Sequence, residues 1–198
     1  MRRVGIFGGT FDPPHLGHSR AAAFFANALA LERVWILPAG LPPMKEAPQT
    51  AAAERLQLCR LAFAGDARFE VRDGELRRAG VSYTVDTVRE VRAAVRDAEL
   101  YLLVGTDQLR NFTCWKDWWE ILEMCRLCAL PRGAATPAVP PALPRDRLCL
   151  LTGFAPLATS ASEIRRKLAA GEDAAALLAA PVYEYIVKKG LYGANPNA

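Results

Sequence analysis

Short apolar runs alternate with helix-forming segments along most of the 198-residue chain. The first apolar run, residues 3–7, ends at Gly8-Gly9, and a helix-forming segment at about 16–31 leads to a second run at 33–38. A strand, a helix and a strand in that order predict a βαβ unit, in which a right-handed crossover joins two parallel strands. The repetition of this alternation predicts an open, doubly wound parallel sheet with helices on both faces, an α/β fold of the Rossmann-like kind.

The same reading assigns the remaining elements. Thr50 is predicted to cap a helix at 51–63 that buries Leu56, Cys59 and Phe63, and a helix at 84–96 turns Val88, Val91 and Val95 inward. Further helices are expected at 118–124, 160–170 and 181–189, and further strands at 69–72, 100–105, 126–130 and 148–151. The proline-rich stretch 131–144 is interpreted as a surface loop, because too few residues follow it for an independent core. The prediction is one domain over 1–192 with a tail at 193–198.

Charge and cysteine usage narrow the class of partner. A formal net charge of +4, with 25 basic and 21 acidic residues spread along the chain, favours small anionic molecules over nucleic acid. The apolar stretch 21–31 is too short to cross a bilayer. Five cysteines favour a reducing, cytoplasmic compartment. Cys125 and Cys128 have zinc-like spacing but lack a second pair, so ordinary core cysteines are expected.

Chemistry concentrates after the first predicted strand, in the segment GGTFDPPHLGH at 8–18. The glycines would let backbone N–H groups approach an anion, and a helix N-terminus adds partial positive charge. His15 and His18, the only histidines in the chain, are spaced to face one point in the first helical turn and to hydrogen-bond a phosphate. The segment matches neither G-x-G-x-x-G nor G-x-x-x-x-G-K, so it predicts a different phosphate loop.

Of three later segments, two can each be interpreted in two ways. Ser160, Ser162 and Arg165 open a predicted helix, where they would hold outer phosphates, although Ser160 is equally suited to be an N-cap with Glu163. Asp107 follows a strand and could meet ribose hydroxyls or be a solvated loop acid. Of the clustered Trp115, Trp118 and Trp119, most of the aromatic mass is expected in the core.

These segments together resemble the nucleotidyltransferases with an HxGH motif, and in particular bacterial nicotinate-nucleotide adenylyltransferases. GGTFDPPHLGH resembles the family signature GGTFDPxHxGH, and Pro42-Pro43-Met44-Lys45 resembles its PPHK loop. Residues 82–87 (SYTVDT), 105–115 (GTD to Trp), 159–165 (TSASEIR) and 185–192 (YI to GLY) resemble its later motifs in the same order. The resemblance covers nearly the whole chain.

The resemblance implies an adenylyltransferase that converts ATP and nicotinate mononucleotide into nicotinate adenine dinucleotide and pyrophosphate, with Mg²⁺ bound mainly through ATP phosphates and no metal ligands from protein side chains. It implies catalytic roles for His15, His18, Lys45 and Arg165. The implied ATP site comprises Gly8, Gly9, Thr10, Phe11, His15, His18, Gly105, Asp107, Ser160, Ser162, Ile164 and Arg165. The implied nicotinate mononucleotide site comprises Asp12, Lys45, Thr84, Trp115 and Arg132, with the Thr84 backbone N–H meeting the nicotinate carboxylate and Trp115 stacking on the pyridine ring.

The chain departs from the family pattern at a few positions. Met44 stands where PPHK has His and cannot donate a hydrogen bond, whereas Ser162 keeps the hydroxyl of the family Thr. Nicotinamide mononucleotide or a phosphopantetheine-like acceptor, and a non-catalytic nucleotide-binding regulatory module, are the alternatives. A homo-oligomer is left open.

Overall fold

A computed structural model describes residues 2–43, 47–130 and 138–195. Six strands form one sheet: β1 (Arg2–Gly9), β2 (Arg33–Pro38), β3 (Phe69–Val71), β4 (Ala98–Gly105), β5 (Arg126–Leu130) and β6 (Leu148–Leu150). The α-helices are α1 (Leu16–Ala28), α2 (Ala52–Phe63), α3 (Gly74–Arg77), α4 (Thr84–Ala94), α5 (Thr106–Arg110), α6 (Trp118–Met124), α7 (Ala161–Ala169) and α8 (Ala180–Lys189).

The strands lie in the order β3-β2-β1-β4-β5-β6, and each neighbouring pair is parallel. This is the strand order of a doubly wound dinucleotide-binding sheet, and the order reverses between β1 and β4. The predicted fold class is therefore confirmed.

The strands bury side chains on both faces, as parallel strands covered by helices must. Along β4, Leu100 and Leu102 pack with α4 and α6 on one face, whereas Tyr101 and Leu103 pack with α1 and α2 on the other. A third cluster joins α2 to the C-terminal helices α7 and α8 and continues to Ala194. These layers hold the carboxyl ends of the strands open at one edge of the sheet.

Several local predictions were wrong. The first strand was expected to end at Gly8-Gly9, but β1 continues through both glycines and pairs them with Leu37 and Pro38. Helix α1 ends at Ala28 rather than near residue 31, since the chain turns through a left-handed Ala30 to bury Leu31.

Helix α2 is rotated relative to its predicted orientation. Arg55, Leu58, Cys59 and Phe63 are buried, and Leu56 is only half-buried. Thr50 does not cap the helix, because Ala51 occupies the N-cap position and no side chain caps it. The apolar pattern alone does not reveal that an arginine, Arg55, occupies a buried position of this helix.

Candidate active site

The site lies where the strand order reverses, at the carboxyl ends of β1 and β4. In open α/β sheets this switch point leaves a crevice, because the loops after the two strands diverge to opposite faces. The loop after β1 carries residues 10–15, and β4 runs directly into the short helix α5, which carries Asp107 as its second residue. The two strands are paired along the register from Arg2 with Ala98 to Ile6 with Leu102.

The two histidines face each other at the start of α1. Their ring centroids are 3.8 Å apart, and His15 is the N-cap residue while His18 is the third residue of the helix. The Gly17 backbone N–H donates to His15 Nδ1 at 3.2 Å, and the His15 backbone N–H donates to His18 Nδ1 at 3.2 Å. The pair therefore forms a reciprocal capping box, in which imidazoles replace the usual Ser and Glu.

This arrangement fixes which ring nitrogen carries the proton. Because each Nδ1 accepts a backbone N–H, the proton of each neutral ring lies on Nε2. The cap thus makes Nε2 the donor of both rings. An N–H donor of this kind can stabilise negative charge that develops on a phosphoryl oxygen.

Gly17 between the histidines is required by close approach. A Cβ atom at this position would lie 2.9 Å from His15 Nδ1 and 3.0 Å from its Cε1. The third position of the H-x-G-H string therefore has to be glycine if the His15 ring is to remain in its cap.

Asp12 joins distant parts of the chain beneath the histidines. Its buried carboxylate accepts the Gln49 backbone N–H at 2.8 Å and the Tyr192 hydroxyl at 2.7 Å. Its carbonyl oxygen accepts from Arg165 Nη1 at 2.7 Å. Burial raises the pKa of Tyr192 far above its ordinary range, so this hydroxyl stays a donor. Arg165 of α7 is thereby brought to the loop that carries Asp12 and leads into the histidines.

The start of α7 lies beside the start of α1. Ser160 is the N-cap of α7 and its Oγ accepts the Glu163 backbone N–H at 3.1 Å, while Arg165 Nη2 donates to Ser162 Oγ at 3.4 Å. The predicted cap is present, and the same helix end presents the hydroxyls and guanidinium proposed for phosphates. Ile164, by contrast, is fully buried in the C-terminal cluster, so its side chain faces away from this edge.

The residues next to Thr84 and Trp115 in the chain are in contact with each other. Thr84 is the first residue of α4, and Lys116 Nζ lies 4.5 Å from the centre of the Tyr83 ring. Trp115 is half-buried and packs on Phe112 with ring centroids 5.2 Å apart. Trp115 and Trp118 pack against the core, in line with the expectation for most of the tryptophan cluster, whereas Trp119 is 54% exposed.

Other predicted residues contribute differently. The Phe11 side chain is buried against Phe7, Phe63 and His18, so it can line the loop only through its backbone. Asp107 is exposed at the crevice. Lys45 and Arg132, together with Met44, lie outside the described residues.

Three residues that support the site were missed by sequence analysis. Buried Arg55 donates to the Thr10 carbonyl at 2.8 Å and so holds the loop after β1, and burial lowers the pKa of this guanidinium. Glu75 is buried beneath the segment at 82–84. Tyr192 belongs to a segment that matches a family motif, but no function was assigned to it. No sequence pattern around Arg55 or Glu75 indicates a role at the site.

Comparisons with known proteins agree with this geometry. The model of the cytidylyltransferase-like family matches residues 6–167. A probable nicotinate-nucleotide adenylyltransferase of Chromobacterium violaceum is 40% identical, over 96% of this chain and 98% of the relative. One from Bordetella petrii is 41% identical, over 97% and 100%. The chain belongs to the nicotinate-nucleotide adenylyltransferases.

Solved structures support the fold of this family member. A Plasmodium falciparum nicotinic acid mononucleotide adenylyltransferase, solved in complex with NaAD, superposes with a TM-score of 0.78 at 16% identity, covering 99% of this chain and all of the other. A putative nicotinate-nucleotide adenylyltransferase of Vibrio parahaemolyticus gives a TM-score of 0.69 at 20% identity, covering 97% and 96%.

Two features are absent from the part of the chain that the structure describes. No helix in that part is both long and apolar enough to span a bilayer. Within residues 2–43, 47–130 and 138–195, no three His, Cys, Asp or Glu side chains cluster as a metal site would require.

Proposed function

We propose that this adenylyltransferase transfers the adenylyl group of ATP to nicotinate mononucleotide through the paired histidines of α1. The observation that carries the proposal is the imidazole pair at the switch point, with both Nδ1 atoms engaged by backbone N–H groups. Two Nε2 donors at one place suit a reaction in which negative charge builds on a phosphoryl group.

The reaction balances without a protein nucleophile. A phosphate oxygen of nicotinate mononucleotide forms a bond to the α-phosphorus of ATP, and the bond from that phosphorus to the oxygen bridging to the β-phosphorus breaks. Nicotinate adenine dinucleotide and pyrophosphate result. In-line transfer of this kind needs positioning and charge stabilisation more than covalent catalysis.

The ATP side is proposed to use the loop after β1 and the start of α7. His15 and His18 donate to α- and β-phosphate oxygens, and Ser160, Ser162 and Arg165 hold the β- and γ-phosphates. The backbone of Gly8, Gly9, Thr10 and Phe11 borders the nucleotide, and Gly105 and Asp107 meet the ribose. Arg165 can serve both the phosphates and the Asp12 carbonyl, because a guanidinium has five N–H donors.

The mononucleotide side is proposed to lie between Thr84 and Trp115. As the first residue of α4, Thr84 presents a backbone N–H that has no acceptor inside the helix, and the helix end favours a carboxylate. Trp115 offers a face to the pyridine ring. Asp12, Lys45 and Arg132 are the further proposed contacts.

We propose that Mg²⁺ enters with ATP. Phosphate oxygens are hard ligands that this ion prefers, and it usually retains water rather than requiring an all-protein cage. Asp12 and Asp107 follow β1 and β4 at the proposed site, and Asp12 already accepts two protein hydrogen bonds. The ion would neutralise charge on the outer phosphates as pyrophosphate forms.

The free thiols of Cys59, Cys114, Cys125, Cys128 and Cys149 favour a reducing cytoplasmic setting.

Pyrophosphate release from ATP should be measured with nicotinate mononucleotide, nicotinamide mononucleotide and phosphopantetheine offered separately. We expect the highest kcat/KM with nicotinate mononucleotide. A preference for phosphopantetheine would contradict the proposed acceptor, and no release with any acceptor would support a regulatory nucleotide-binding module instead.

A further inference from the structure

A closed polar network lies beneath the proposed mononucleotide site, centred on Glu75 of α3. Glu75 is 8% exposed. Its Oε2 accepts the Ser82 hydroxyl at 2.9 Å, its Oε1 accepts the Thr87 hydroxyl at 2.8 Å, and it also accepts the Gly40 backbone N–H. One buried carboxylate therefore joins the loop after β2, the segment before α4 and the first turns of α4.

Arg78 completes the network and fixes the direction of its hydrogen bonds. Its Nη1 donates to Ser82 Oγ at 3.0 Å and to Thr87 Oγ1 at 3.3 Å. A hydroxyl has a single proton, so hydroxyls that accept from Arg78 direct that proton to Glu75. The guanidinium also offsets the buried negative charge, which would otherwise repel an anionic ligand nearby.

The backbone of the loop after β2 also approaches Glu75 closely. A Cβ atom on Gly40 would lie 2.6 Å from the Glu75 carbonyl oxygen, so only glycine allows this approach. The Ser82 backbone N–H donates to the Leu41 carbonyl at 2.9 Å. Ser82 is thus held at its backbone by the loop after β2 and at its side chain by Glu75.

Thr84 lies two residues after Ser82 in the chain. Thr87, one turn further along α4, is held by the other oxygen of the same carboxylate. The two hydrogen bonds therefore flank Thr84 and set the position and direction of the helix end at which the nicotinate carboxylate is proposed to bind. A backbone group that contacts a ligand loses its exact position when the residues that hold it are removed.

We propose that Glu75 is a positioning residue for the mononucleotide site, which acts through Ser82 and Thr87 to hold the Thr84 backbone N–H against the ligand carboxylate. This inference rests on the proposed function, because it assumes that Thr84 meets that carboxylate. Glu75 itself touches no substrate. Its removal should weaken binding of one substrate and spare the other, whereas a general structural role would affect both.

The test is steady-state kinetics of Glu75→Gln, with each substrate varied in turn. Glutamine keeps the size of the side chain but replaces one acceptor oxygen with a donor, so we expect the KM for nicotinate mononucleotide to rise about tenfold, as expected for loss of a charged hydrogen-bond acceptor. The KM for ATP should change less than about twofold, because the residues proposed for ATP lie on other loops. The preference for the acid over nicotinamide mononucleotide should fall as well.

Glu70→Gln is the matched control. Glu70 lies on the preceding strand and pairs with Arg72 at a half-exposed position, so its kinetics should equal those of the wild type. If Glu75→Gln is poorly folded, Thr87→Val removes one hydroxyl with little change in shape, and a rise of about threefold in the same KM is expected.

An unchanged KM for nicotinate mononucleotide in a folded variant would overturn the proposal, and so would equal rises in both KM values. These results are distinct from failure of the proposed function. In that case the wild-type protein itself would not use nicotinate mononucleotide.

Discussion

At the scale of single residues, His15 and His18 cap a helix and are also the residues proposed to act on the phosphates. Their Nδ1 atoms satisfy backbone N–H groups at the start of α1, and this leaves Nε2 as the donor on each ring. Capping normally falls to Ser, Thr, Asp or Asn. Histidine at these positions is therefore better explained by what Nε2 does than by helix stability.

Gly17→Ala tests whether the His15 ring must stay in its cap. The added methyl group would lie 2.9 Å from His15 Nδ1 and displace the ring, so we expect kcat to fall at least about tenfold, as misplacement of a catalytic group by about 1 Å costs up to a hundredfold. Gly65→Ala is the control, because a Cβ atom there has no neighbour within 4 Å. Wild-type kcat in Gly17→Ala would show that the ring position does not matter.

At the scale of elements, sequence periodicity predicted the six strands and the longer helices, because burial on both faces makes parallel strands continuous apolar runs. The short helices α3 and α5 were missed, since four or five residues are too few to show a period. Glu75 lies on α3. The supporting residues of the site were therefore harder to predict than the motif residues they hold.

Glu75 also gives a pH dependence to stability. Burial is the largest influence on this group and raises its pKa above the ordinary 4.5. A carboxyl group with a raised pKa in the folded state stabilises the fold fully below its unfolded value, and that contribution is lost as the pH rises through the folded pKa. We expect the unfolding free energy of the wild type, minus that of Glu75→Gln, to decrease between pH 4 and pH 7 in urea titrations. A difference that grows with pH would mean that hydrogen bonds outweigh burial.

At the scale of the whole molecule, the C-terminal segment completes the site. The hydrogen bond from Tyr192 to Asp12 joins residues 180 positions apart, and Arg165 reaches Asp12 across 153. Tyr192 holds a left-handed backbone conformation at φ 59° to make this contact. Such long-range pairs leave no trace in local sequence patterns, so the motifs could be found but the links between them could not.

Removing the Tyr192 hydroxyl should destabilise the whole fold. In Tyr192→Phe the Asp12 carboxylate loses a donor within a buried setting, so we expect about 1.5–3 kcal/mol less unfolding free energy, the usual contribution of a hydrogen bond to a charged group. Denaturant unfolding measures this loss. Tyr183→Phe is the control, because the Tyr183 side chain is half-buried without such a bond in the described part of the chain. Equal stability of the two variants would contradict the role assigned to Tyr192.

The histidine pair is proposed to stabilise the transferred phosphoryl group, and His15→Asn separates this role from capping. Asparagine is among the best N-cap residues and should keep α1 stable, but it lacks the Nε2 donor. With ATP and nicotinate mononucleotide, we expect kcat to fall about a hundredfold or more, the usual cost of losing one such donor, at an unchanged melting temperature. A kcat within a few-fold of the wild-type value would contradict the account.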